Sequence, residues 1–164
     1  MLRRSKEIRI GMLAMVVALS ALSQSLFSEK NHAAPGSDGE KLIGAWRLVS
    51  ITAPGRDGKT MSVTHPAGML IYTRDGHISV QLMYPKSDEA LSNEYVLNGY
   101  EASFGSYDVN EAAHTVTHHV QGSITRDLLV GKDLPRAYQI TANGELIIKS
   151  TREDEHWSVR WKHY

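Results

Sequence analysis

The chain contains no cysteine. That excludes disulfides, Cys-ligated zinc, iron–sulfur clusters and thiol nucleophiles. It leaves the compartment open, because an exported domain with a sufficient core folds without disulfides. Charge of one sign is missing too. Lys+Arg and Asp+Glu are 18 each, so there is no basic excess of the kind an electrostatically driven nucleic-acid binder carries. The sequence has no internal repeat and no low-complexity tract. It has no Gly-x-Ser-x-Gly elbow, no phosphate-binding glycine loop and no dinucleotide fingerprint. Its apolar run at residues 10–22 falls short of the roughly 20 residues that a comfortable membrane span needs. A chain of 164 residues fits one domain with its own core.

What is present begins with an export pattern. Arg3, Arg4, Lys6 and Arg9 form a positive start, residues 10–22 an uncharged apolar stretch, and Ala21 and Ser23 a small-residue cleavage signature. Residues 1–23 therefore read as a secretory signal helix, which predicts a periplasmic or secreted protein. The segment touches a membrane only if it stays uncleaved. No cysteine follows it, so lipid modification at that junction is excluded. Its removal leaves 14 basic and 17 acidic residues, a net −3. Residues 24–40, with the run Ala33-Ala34-Pro35-Gly36-Ser37-Asp38-Gly39, read as a flexible linker. The folded domain is expected over residues 41–164.

Within it, short β-like runs alternate with turn signals. Strands are expected within residues 42–52, then at 68–73, 77–83, 103–109, 115–121, 137–141, 145–150 and 157–162. In the first, Trp46, Leu48 and Ser50 share a face. Asp75-Gly76 and Asn143-Gly144 mark hairpins of the type whose two central residues both take positive φ. Residues 88–100 carry a pattern fit for one short helical insert or lid. Seven or eight regularly spaced strands imply an all-β sandwich or closed barrel, and closure has the advantage of leaving no unpaired edge.

Several stretches, in order, resemble the bacterial and fungal lipocalin-like family. They are Leu42-Ile43-Gly44-Ala45-Trp46-Arg47-Leu48-Val49-Ser50, with its Gly-x-Trp; residues 70–82; Tyr100-Glu101-Ala102-Ser103-Phe104-Gly105-Ser106-Tyr107; Thr115-Val116-Thr117-His118-His119-Val120-Gln121-Gly122-Ser123; and Val130-Gly131-Lys132 with Arg136. The resemblance covers about residues 41–163. It implies an antiparallel up-and-down β-barrel of about eight strands around a central cavity. It does not imply a particular reaction. The family often ends in Trp-Glu-Arg, whereas this chain has Trp161-Lys162-His163. If the family's terminal Arg packs over the first-strand Trp to close the barrel, another group must do so here, and Arg160 is the nearest candidate.

Individual residues then carry the chemistry. Trp46 is either a wall of the cavity or a structural plug at a barrel end, with an indole N–H that needs a partner. Adjacent strand residues face opposite ways, so only one of His118 and His119 looks inward. Val116 and Val120 share a face with His118 and place it inside. There it is a hydrogen-bonding group or general base, or else a core histidine satisfied by a neighbouring Tyr or backbone group. His114 shares that strand face four residues earlier, about 13 Å away by strand rise, too far to share one metal. No metal and no cofactor are expected. Arg136 is either a ligand anchor offering a guanidinium fork to a carboxylate or enolate, or one half of an ion pair with Asp108, Asp127 or Asp133. Tyr72, Gln81, Tyr100 and Tyr107 complete the expected polar lining, with Gln81 placed inward on the strength of the resemblance. Glu153-Asp154-Glu155 reads as a solvated acidic turn.

Three readings of function follow. One is an exported protein that binds a small hydrophobic or amphipathic molecule in its barrel. Another is a cofactor-free cyclase or isomerase with His118 as general base. The last is a structural envelope interaction module with a solid core.

Overall fold

The computed structural model describes residues 36–55, 58–63, 65–84 and 92–164. The signal reading of residues 1–23, most of the linker reading and residues 88–91 of the helical insert lie outside these.

A short helix, α1 (Asp38–Leu42), leads into nine strands: β1 (Gly44–Pro54), β2 (Thr60–Ser62), β3 (Ala67–Tyr72), β4 (His77–Met83), β5 (Tyr100–Asn110), β6 (Thr115–Ser123), β7 (Asp133–Ile140), β8 (Glu145–Ser150) and β9 (Ser158–His163). From β3 to β9 each strand pairs antiparallel with the next, and β1 pairs with both β3 and β9. Eight strands thus close a barrel, and β2 is an extra strand paired to the far end of β1. A lone 3-10 turn spans Asp127–Leu129.

Alternation drives the strands. In β4, Ile78, Val80 and Leu82 are buried, while His77, Gln81 and Met83 are exposed, the period of two that a half-buried strand requires. β1 departs from a strict period. Its pairing with β9 shifts register between Leu48 and Ser50. A bulge of this kind adds one residue on one side. Trp46, Leu48 and Ile51 therefore face the core, and Ser50 does not take the third inward place.

The two expected hairpins form, with a different turn. Gly76 and Gly144 have positive φ, but Asp75 and Asn143 do not. Gly76 N–H donates to Thr73 O and Thr73 N–H to His77 O, the pattern of a longer loop ended by one left-handed glycine. Residues 92–100 are not helical. Asn93 Oδ1 accepts from the N–H groups of Tyr95 and Val96, both at 2.8 Å, and Leu97 bridges Tyr100.

The ordered domain also starts before Lys41. Ser37 caps α1, its Oγ accepting from Glu40 N–H, so part of the expected linker is the opening of a helix. Leu42 is fully buried. Gly39 N–H donates to Glu111 in the β5–β6 turn, and Arg74 in the β3–β4 turn reaches Glu40. These ties lay α1 across one end of the barrel.

Candidate ligand cavity and its polar side chains

At the α1 end the barrel is sealed. Trp46 is buried, and its indole N–H donates to Leu42 O at 2.8 Å, satisfying the polar atom of a buried ring. His163 lies over Trp46 with ring centroids 3.6 Å apart. A Cβ at Gly44, whose φ is +135°, would stand 2.6 Å from the His163 ring. The Gly-x-Trp and the chain's final strand are therefore one device. The expected closing role of Arg160 is corrected here: its guanidinium pairs with Glu145 at 2.7 Å, and His163 covers the tryptophan.

Above this floor lies a cavity of about 600 Å³. Its walls include Ile51, Leu70, Ile78, Val80, Leu82, Val120, Ile148, Val159 and Trp161. The expected solid-core module does not fit a barrel with that interior space. The polar side chains bordering the cavity are outnumbered by apolar ones: His118, Arg136, Glu101 and Ser103, with Tyr84, Tyr95, Trp157, Ser62, Ser92, Asn93 and His119 also on its border.

His118 faces inward, as its valine companions require. Its Nε2 lies 2.7 Å from the Tyr72 hydroxyl. Tyr72 is fully buried, and its hydroxyl has no other hydrogen-bond partner among the described residues. Burial pushes the phenol far above its ordinary range, so it keeps its proton; with no other acceptor for that proton among the described residues, we assign the hydroxyl as donor to Nε2. The imidazole proton then sits on Nδ1. Burial drives His118 down to about 3, with the charge of Arg136 adding to the effect. His118 borders the cavity. A ring of such low basicity is neutral at physiological pH and a weak proton acceptor, which does not suit the expected general-base role.

Among the described residues Arg136 is the most deeply buried charged side chain by exposed surface, at 6%. Its guanidinium carbon is 4.6 Å from the centre of the Tyr95 ring and 4.9 Å from that of Trp157. The two rings meet edge to face at 6.2 Å, so the cation sits in the angle between them, an arrangement that ring quadrupoles favour. None of the expected aspartates pairs with it. Asp133 and Asp108 are taken by His119, whose Nδ1 and Nε2 lie 2.6 and 2.9 Å from them on the outside of the barrel, and Asp127 is in the 3-10 turn.

The rings are themselves held. Glu155 accepts from the Tyr95 hydroxyl at 3.0 Å, Ser150 at 2.5 Å and the Trp157 indole at 3.1 Å. Burial pushes its carboxyl up, but these bonds and the charge of Arg152 outweigh that and hold it below the ordinary range. The acidic turn expected at residues 153–155 is thus solvated only in part, since Glu155 is the hub that sets Arg136 in place.

Glu101 shares the cavity. Burial raises its carboxyl to about 7, against the lowering influence of Arg136. The sequence reading missed Glu101, Tyr95 and Trp157. Glu101 had a signal, since it lies six residues from Tyr107 and shares its strand face. Of the residues expected to line the site, only His118 and Arg136 do so. Tyr72 supports His118 away from the cavity. Tyr107 lies edge-on to Tyr72 at 4.7 Å and donates to Thr73 O. Gln81 and Tyr100 are exposed on the outer face, because the aliphatic face of β4 and the Glu101 face of β5 turn inward. His114 lies in the turn before β6 at φ +48° rather than on its strand face. The indole N–H of Trp161 is buried without a hydrogen-bond partner among the described residues.

A family model described as a lipocalin-like domain matches residues 43–163. Among solved structures, a redesigned beta barrel matches at 12% identity and a TM-score of 0.42, covering 77% of this chain and 94% of that one. The wild-type fluorescent protein UnaG matches at 14% identity and a TM-score of 0.38, covering 76% and 98% respectively. No curated protein sequence matches this chain.

Proposed function

The chain belongs to the lipocalin-like domain family, and from that premise we propose that it is an exported protein that binds a small hydrophobic or amphipathic molecule inside its barrel. One observation carries the reading: the cavity of about 600 Å³ is walled mainly by aliphatic and aromatic side chains, which outnumber the polar ones. Small-molecule sites have this size and this composition, with apolar walls supplying affinity and sparse polar atoms supplying orientation. The charged start, apolar run and small residues of positions 1–23 support export.

The test uses the full chain, expressed in a bacterial host and purified without detergent. Solvent extraction with mass spectrometry should release a bound apolar molecule. Titration with the neutral dye Nile red, fatty acids and aromatic polyketides should show saturable one-to-one uptake. No extracted guest and no uptake of any of these would overturn the reading. For export, the mass of the periplasmic or secreted product should correspond to loss of residues 1–23. An intact N-terminus on a protein confined to the cytoplasm would remove that part.

A second reading, a cofactor-free cyclase or isomerase, is favoured by Glu101. A cavity carboxyl raised to about 7 has the acidity that proton transfer at neutral pH calls for, which His118 lacks. Solvent-deuterium incorporation into a 1,3-dicarbonyl compound should then be faster with the protein than with Glu101→Gln. Equal rates would remove this reading.

A further inference from the structure

Buried charges in proteins are normally paired, because an isolated one loses its hydration without recompense. Arg136 breaks that pattern. No carboxylate among the described residues lies within ion-pair distance of its guanidinium. Its polar neighbours are the Tyr95 hydroxyl, which donates to Glu155 and leaves the guanidinium only a neutral oxygen, and Glu101 and His118, which feel its charge. The Tyr95 and Trp157 rings attract the charge, but ring faces are poor substitutes for the oxygen acceptors that a guanidinium fork takes in its own plane. The fork borders the cavity and, among the described residues, has no carboxylate partner.

A second unpartnered donor stands beside it. Val116 pairs with Arg136, and His118 pairs with Leu134. His118 and Arg136 are thus diagonal neighbours on one inner face, a separation of about 7–8 Å between backbones that long side chains bridge. Tyr72 occupies His118 Nε2. Nδ1 carries the proton and has no partner among the described residues. Two donors from adjacent strands therefore share one inner face of a mainly apolar chamber.

We propose that Arg136 and His118 together bind the carboxylate of an amphipathic monoanion whose apolar body lies against Leu70, Ile78, Val80 and Leu82. This rests on the binding reading above and gives it a ligand class. The guanidinium fork meets the two carboxylate oxygens, and His118 Nδ1–H supplies a neutral hydrogen bond to one of them. Glu101 faces the same space from β5, so a head group of higher charge meets an acidic neighbour, and a single negative charge suits the site.

The experiment is displacement of Nile red from the full chain by dodecanoic acid and by dodecanol, matched in body and different in head. The acid should displace the dye at a concentration about tenfold lower or more, the usual scale for a hydrogen bond to a charged group. In Arg136→Met, Nile red should still bind, and the gap between acid and alcohol should close. Arg136→Lys, which keeps the charge but not the fork, should restore part of it. Equal displacement by acid and alcohol in the parent protein overturns the carboxylate proposal and leaves the cavity reading standing. So does a gap that persists in Arg136→Met. Failure of the dye, the acid and the alcohol alike to bind the parent protein removes both. If Arg136→Met does not fold, the parent comparison and Arg136→Lys still decide the matter.

Discussion

Gly44 shows how tightly single positions are set at the sealed end. Its φ of +135° belongs to glycine, and any Cβ would meet the His163 ring at 2.6 Å. Gly44→Ala should cost about 1–3 kcal/mol, the scale of a strained backbone position, read from urea denaturation. Trimming the ring in Gly44→Ala/His163→Ala should recover the steric part of that loss. Glu101 sets a pH dependence. Its carboxyl is raised to about 7 from an ordinary 4.5, so between those values the native state keeps a proton that the unfolded chain has released. Stability contributed by that proton is full below pH 4.5 and is lost as pH rises through 7. The other charged or titratable residues bordering this chamber are Arg136, His118 and His119, together with Tyr84 and Tyr95. Glu101→Gln should therefore be more stable than the parent protein above pH 7, by on the order of 3 kcal/mol, and the difference should vanish below pH 4.5. Thermal melts across that range check it.

At the level of elements, His119 joins three strands from outside. It lies on β6 and bonds Asp108 of β5 and Asp133 of β7. The Asp133 hydrogen bond is the largest cause of its raised pKa; burial, the next largest, opposes it, and the Asp108 hydrogen bond and the charges of both carboxylates add to the rise. The clamp's stability is present below the ordinary histidine range and is lost as pH rises through the raised value. The melting temperature of the parent protein should exceed that of His119→Gln at pH 5.5, and the excess should shrink by pH 9. A melting difference independent of pH would show that the clamp acts through packing alone. The strands themselves were legible because most of their residues alternate. β7 begins earlier than its sequence suggests, at Asp133, because Pro135 looks like a breaker. It is tolerated where it stands: Tyr138 N–H points toward the β6 side, so the nitrogen of Pro135 points the other way, and pairing with β8 starts only at Arg136. A missing donor there breaks no ladder. Tyr100 and Tyr107 could not both line the chamber, since an odd separation puts them on opposite faces. Tyr95 and Trp157 come from irregular segments fixed by Glu155, and no periodicity announces a contact of that kind.

At the scale of the whole molecule, the seam between β1 and β9 turns a meander into a cylinder. Removing residues 158–164 should expose β1 and β8 as open edges. We expect loss of the cooperative thermal transition and of near-ultraviolet circular dichroism, together with aggregation. A truncated chain that melts like the parent would mean that closure matters little to the fold. The seam has a temporal consequence as well. Its two halves, Trp46–Thr52 and Ser158–His163, are separated by nearly the entire domain, so a growing polypeptide cannot zip shut until its far end has emerged. Until that moment the cylinder stays open along β1, whatever hairpins the middle strands have already made.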